Sequence, residues 1–215
     1  MKPRDDLIAS LVDDLAPVRP IGNINALAIL WLLISALYVV AIIHVFGPVR
    51  PGALDQLIGN GRFLFENLVG LASIVLVAMG AFRAAVPGAN ARRVGLAGVL
   101  MMLGWIAMYA VGLLSPTFEP SMLGKREYCY IETLIYALPP MLVGGMMIRR
   151  LYPLQQVKVA WLVSLAAGML PALYMQIACM YEPVHILKLH ILPGVLAGVM
   201  GAVLVWLLAR FRSNT

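Results

Sequence analysis

Long apolar runs, separated by short stretches of charge, proline and glycine, set the rhythm of the chain. Read between their polar borders, they predict six helices, near residues 25–46, 63–82, 94–114, 129–148, 157–180 and 187–209. Each run approaches the ~20 residues that an α-helix needs to cross a ~30 Å hydrocarbon core. The alternation of polar and apolar positions that a membrane β-barrel requires is missing, which excludes that architecture. The expected fold is therefore all-α, a six-transmembrane-helix bundle. Small residues at Gly80, Ala81 and Gly194–Gly201 predict close helix packing. With no internal repeat or flexible linker, residues 23–215 read as one transmembrane unit and residues 1–22 as a short tail.

The tail has its own pattern. Leu7, Ile8, Leu11, Val12 and Leu15 fall along one helical stripe, with Asp5, Asp6, Asp13 and Asp14 at the start and off the stripe. Asp5 and Asp6 suit the positive end of a helix dipole, and Pro17 and Pro20 stop the helix before the first membrane run. A helix lying on a bilayer would carry Lys and Arg on its polar face, whereas aspartates are repelled by anionic lipid. The acidic face favours docking into a groove on a protein partner. Interfacial or intramolecular packing is the alternative. A helix of about ten residues is marginal alone in water and would order on binding.

Composition then fixes the solvent and the orientation. The chain is 62% hydrophobic and 12% charged, with a mean hydropathy of +0.90. A soluble domain normally carries roughly twice that charge. Lys2, Arg4, Arg19, Arg83, Arg92, Arg93, Arg149, Arg150, Lys158, Arg210 and Arg212 fall on one side, against Arg50, Arg62, Lys125, Arg126 and Lys188 on the other. The positive-inside rule places the richer side, with both termini, in the cytoplasm. The tail lacks the pattern of a cleavable signal. The formal net charge of +6 sits at helix ends rather than on a phosphate-binding stripe, so no direct nucleic-acid contact is expected.

Candidate chemistry gathers on the other side. Cys129 opens the fourth run and Cys179 closes the fifth. They lie 20 residues before Arg149 and 21 after Lys158, so both stand ~30 Å above the cytoplasmic face. An antiparallel hairpin would allow the thiols to meet. Glu127, Glu132, Glu182, His185 and His190 lie on the same side, which in a bacterium is the oxidising periplasm. Three readings stand side by side: small packing residues with ordinary interfacial histidines, a disulfide or redox switch, and a metal site of Cys129, Cys179, His185 and His190. Neither CxxC nor HExxH is present, and the i,i+5 spacing of the histidines sets them poorly for one helical face. Glu66 and Glu132, near helix ends, are expected to snorkel to water.

The opening segment, Asp5-Asp6-Leu7-Ile8 through Leu11 and Asp13-Asp14-Leu15-Ala16-Pro17-Val18-Arg19, resembles that of the NrsF-like family of membrane anti-sigma factors. Further matching segments are Arg62-Phe63-Leu64-Phe65-Glu66, residues 81–88, Cys129 with Glu132 and Pro139-Pro140, and Cys179 with Glu182-Pro183-Val184-His185, His190 and Pro193. The resemblance implies a negative regulator of an extracytoplasmic-function sigma factor in the bacterial inner membrane. It also implies that two outward cysteines respond to heavy-metal or oxidative stress. Carried over by residue, Asp5, Asp6, Leu7, Ile8, Leu11, Asp13 and Leu15 become sigma-factor contacts, joined by Val12 of the same stripe, and Cys129 and Cys179 become sensing residues. The partners implied are a sigma factor and the lipid bilayer. No cofactor is required beyond a transient heavy-metal ion at the cysteine cluster. No catalysis is expected. The competing functions are a small transporter or channel using Glu66, Glu132 or His190, and a membrane thiol oxidoreductase using Cys129 and Cys179.

Overall fold

The computed structural model describes residues 4–13 and 22–213. The residues Lys2, Asp14, Leu15, Pro17, Arg19 and Pro20, invoked above, lie outside the described residues. A short helix, α1 (Arg4–Asp13), precedes α2 (Ile24–Phe46), α3 (Ala53–Gly59), α4 (Gly61–Ala84), α5 (Arg92–Gly112), α6 (Cys129–Arg149) and α7 (Gln156–Ala178). A last continuous helical stretch follows as α8 (Pro183–His185), a π turn (Ile186–Ile191) and α9 (Leu192–Ser213). No strand occurs among the described residues. Six of these elements are long and apolar enough to cross a membrane, and the expected bundle is what forms.

Local chemistry explains the borders. The Asn23 side chain accepts from the backbone N–H groups of Asn25 and Ala26, capping α2, and Asn60 accepts from Phe63 N–H to cap α4. Pro183 begins α8, where its missing N–H costs nothing. The last span therefore starts four residues before the expected 187. α3 was not expected at all: Ala53–Gly59 is too short to carry a hydrophobic period that stands out from a loop.

α7 is the central helix. It is buried over 67% of its membrane stretch, against 28–50% in the other five. Its sequence from Leu162 to Ala172 is apolar or small on every side, as a helix surrounded by others requires. Close approach to α9 depends on glycine at facing positions: a Cβ at Gly194 would lie 2.8 Å from the Gly168 carbonyl oxygen, and one at Gly198 would lie 3.1 Å from Leu165 Cβ. The small residues singled out in 194–201 thus serve as packing surfaces. Gly80 does the same between α4 and α5, where its Cβ would meet the backbone of Gly95.

Polar links run through the interior. Trp31 in α2 donates to the Pro140 carbonyl at 3.1 Å, where Pro139 and Pro140 interrupt the hydrogen-bond ladder of α6. Gln176 in α7 donates to Asn67 in α4 at 2.9 Å, and Asn67 in turn donates to the Phe63 carbonyl. The outward surface is the reverse: Leu33, Leu37, Leu100, Leu142 and Leu204 are all more than half exposed. A belt of such residues is an aggregation hazard in water and a fit to lipid.

Candidate functional site

The bundle has two ends. The beginning of α2 and the ends of α4, α6 and α9 share the end nearest the tail; the end of α2 and the starts of α4, α6 and α8 share the other, the cysteine end. There, α6 begins at Cys129 and α7 hands over to Cys179. Their Sγ atoms stand 3.3 Å apart as free thiols, 1% and 0% exposed. Equal depth on neighbouring antiparallel helices thus becomes contact. His185 Nε2 lies 3.5 Å from Cys179 Sγ, and the His185 and His190 rings meet edge to face with centroids 4.9 Å apart.

The i,i+5 spacing does not set the two histidines apart, for a physical reason. Residues 186–191 form a π turn, in which backbone bonds run i to i+5 rather than i to i+4, so residues five apart return to one face. All four side chains, Cys129, Cys179, His185 and His190, are buried, with their ligand atoms within 4.8 Å of one another. Neither ring nitrogen of His190 has a hydrogen-bond partner. The arrangement can do what thiolate and imidazole groups do: take a soft or borderline metal ion, or cross-link on oxidation.

Arginines fasten this end, a role beyond the topology that their positions mark. Arg126 is 4% exposed; its Nε donates to Glu132 at 2.7 Å, and its Nη1 donates to the carbonyls of Ile43 and Pro48 at 3.2 and 3.1 Å. A Cβ at Gly47 would overlap the Arg126 guanidinium. Cys129 donates to the Arg126 carbonyl at 3.3 Å, so the same residue touches both the thiol site and α2. Arg50 lies over the Phe63 ring, and its backbone N–H donates to the Ala178 carbonyl at 2.7 Å, holding the end of α7 in place. Phe63, Phe118 and Tyr181 pack edge to face beneath the α5–α6 loop, and Thr117 N–H donates to the Tyr181 hydroxyl.

Glu66 and Glu132 do not snorkel free. Glu66 is 1% exposed and accepts from Arg62 at 3.1 Å and Thr117 at 3.0 Å; Glu132 is held by Arg126. The spacing of Arg62 and Glu66, i,i+4 at the start of a run, was a readable sign of that pair. The Arg126 anchor carries no such sign, because Glu132 stands six residues on, off the i,i+4 spacing, and the Ile43 and Pro48 carbonyls lie 83 and 78 residues away. Glu127 is exposed and apart from the cluster.

At the tail end, Arg83 Nε donates to Asn25 at 2.9 Å, linking α4 to the first turn of α2. The helix predicted in the tail exists as α1. Its Asp6, Ile8 and Val12 side chains are exposed, with Ile8 and Val12 at 48% and 58%. Asp5, Leu7, Leu11 and Asp13 take part in the helix backbone.

These features define a polytopic α-helical membrane protein with a buried thiol–imidazole cluster at one end of its bundle and a short acidic helix, α1, ahead of the bundle in the chain. The chain belongs to the NrsF family, described as negative regulator of sigma F, whose model matches residues 11–211. The match covers nearly the whole bundle and begins inside α1. The family is one of regulators, not of catalysts. No curated protein and no solved structure matches the chain.

Proposed function

We propose that the chain is an anti-sigma factor of the bacterial inner membrane that sequesters an extracytoplasmic-function sigma factor through α1 and releases it under metal or oxidative stress sensed at Cys129 and Cys179. The observation that carries this reading is the family match over residues 11–211. The exposed apolar side chains of Ile8 and Val12, on a helix that carries Asp5 and Asp6 in its first turn, supply the grip: apolar side chains for a groove, with aspartates for a basic rim. The tail, with both termini, lies in the cytoplasm, where the sigma factor is.

The two ends are joined by α2. Arg126 binds the carbonyls of Ile43 and Pro48 at the cysteine end, and α2 runs about 34 Å, at 1.5 Å per residue, to its cap at Asn23, the last stop before the tail. Modification of Cys129 changes the packing next to the Arg126 carbonyl, and any displacement of Arg126 is felt by α2. The coupling required is small: 1.4 kcal/mol alters affinity tenfold, within the 1–3 kcal/mol usual between linked sites.

The test is copurification of the full chain from bacterial membranes, with mass spectrometry of what it holds before and after exposure to cadmium or diamide. A sigma factor captured before and depleted after is the expected result. Capture of no sigma factor overturns the reading.

A further inference from the structure

We propose that Cys129, Cys179, His185 and His190 together bind one divalent d10 ion, of the Zn2+ or Cd2+ kind, in a closed four-coordinate site with both histidines as ligands. The proposal deepens the sensing reading and rests on it for the biological consequence, while the binding itself rests on geometry.

The spacing fits. A tetrahedral ion with bonds of about 2.3 Å to sulfur and about 2.0 Å to nitrogen separates its ligand atoms by roughly 3.3–3.8 Å. The two sulfurs are 3.3 Å apart, Cys179 Sγ and His185 Nε2 are 3.5 Å apart, and no ligand atom of the four is more than 4.8 Å from another. Adjustments of a few tenths of an ångström to about one ångström in side-chain torsions close such a set around an ion.

His190 supplies the independent observation. It is fully buried, and neither ring nitrogen has a partner. An unpaired buried polar group is costly, so an imidazole held in an apolar bundle needs something to bond. The groups it faces are His185 across the ring contact and the thiols of Cys129 and Cys179, and a cation between them satisfies all four at once.

The chemistry selects the ion. Two sulfurs and two imidazoles make a soft-to-borderline donor set. On entry of a divalent ion, the two thiol protons leave to solvent, and two thiolates with two neutral imidazoles leave the centre uncharged. That is the form a low-dielectric interior tolerates. Four protein ligands leave no open position, as in structural and sensing sites rather than catalytic ones. The ion would also tie three segments together: the start of α6, the end of α7 and the π turn. A two-electron oxidant such as a diazene, taking up both thiol hydrogens as it is reduced to the hydrazine, joins the sulfurs as a disulfide and removes both sulfur ligands, so metal and oxidant compete for one site.

The experiment uses the purified full-length protein in detergent. After chelation and reduction it is titrated with Cd2+ and with Zn2+, and the loaded wild type is measured by X-ray absorption. One ion per chain, with two sulfur and two nitrogen neighbours, is expected; a sulfur-only shell, or no stoichiometric binding, overturns the proposal. His185→Gln and His190→Gln should each weaken Cd2+ binding by more than about a hundredfold, beyond the ten- to hundredfold of outer-shell changes. Unaltered affinity in both overturns the role of the histidines. The wild-type spectrum decides the matter should either variant fail to fold. The sigma factor plays no part in these readings: an ion bound as described without effect on sigma-factor capture would defeat the sensing reading and leave the site standing.

Discussion

Arg126 Nη1 donates to the Ile43 carbonyl at 3.2 Å, hooking the segment that leads into the cysteine-bearing helix onto the end of the helix that leads to the tail. Because the same guanidinium also holds Pro48 and Glu132, Arg126→Gln removes several links at once. Glu132 retains some access to solvent, so the loss in stability should be about 2 kcal/mol rather than the 3–5 kcal/mol of a fully buried broken pair. Thermal unfolding in detergent measures that. In cells, R126Q should still hold the sigma factor yet respond weakly to cadmium in a reporter assay. A normal dose response from stably inserted R126Q would remove Arg126 from the path.

Ile8→Asp and Val12→Asp test the grip of the tail. Both side chains are exposed, so neither change should shift the unfolding temperature of the bundle appreciably. Each places a charge on the apolar stripe and should weaken sigma-factor capture tenfold or more, equivalent to at least about 1.4 kcal/mol. Quantitative pull-down with the detergent-solubilised protein reads the effect, and equal capture by the double variant would rule out α1 as the contact.

Cys129→Ser and Cys179→Ser separate holding from responding. Serine keeps the shape of each site but provides neither a thiolate for soft metals nor a partner for oxidation. Either variant should bind the sigma factor as the wild type does and fail to release it under cadmium or diamide. Release by both single variants at wild-type doses would place the sensor elsewhere. Mild oxidation of the wild type should, in parallel, abolish labelling of both thiols together, since their sulfurs are 3.3 Å apart.

Gly194→Val probes the packing of the central helix. A side chain there meets the Gly168 carbonyl and the Met169 sulfur at 2.8 Å, and overpacking of this kind costs about 1–3 kcal/mol. A lowered unfolding temperature is expected. Gly145→Val, where nothing lies within 4 Å of the added Cβ, should leave it near the wild-type value.

The bundle was legible in the sequence because lipid imposes one requirement on every span: an apolar run of sufficient length. The starts of α2 and α6 fell within a residue of the expected positions, and a helix in the tail was visible too. The meeting of Cys129 and Cys179 was legible as well, since helix rise converts equal residue counts into equal depth. The short α3 was not, because seven residues carry too little periodicity. Nor was the role of Arg126, which besides Glu132 binds two backbone carbonyls with no signature in sequence. Glu66 misled for a related reason: a carboxylate near a helix end was expected to reach water, and Thr117, 51 residues away, closes over it instead.

The π turn at 186–191 amounts to one surplus residue in an otherwise regular rod. Winding those 6 residues as ordinary α-helix, with the surplus residue kept, would rotate everything beyond them by about 100°. His190 would leave the thiols, and in the same stroke Gly194, Gly198 and Gly201 would turn from the face of α7 that they fit. Donor spacing at one end and helix seating deeper in the bundle therefore share a single phase, and neither can drift without the other.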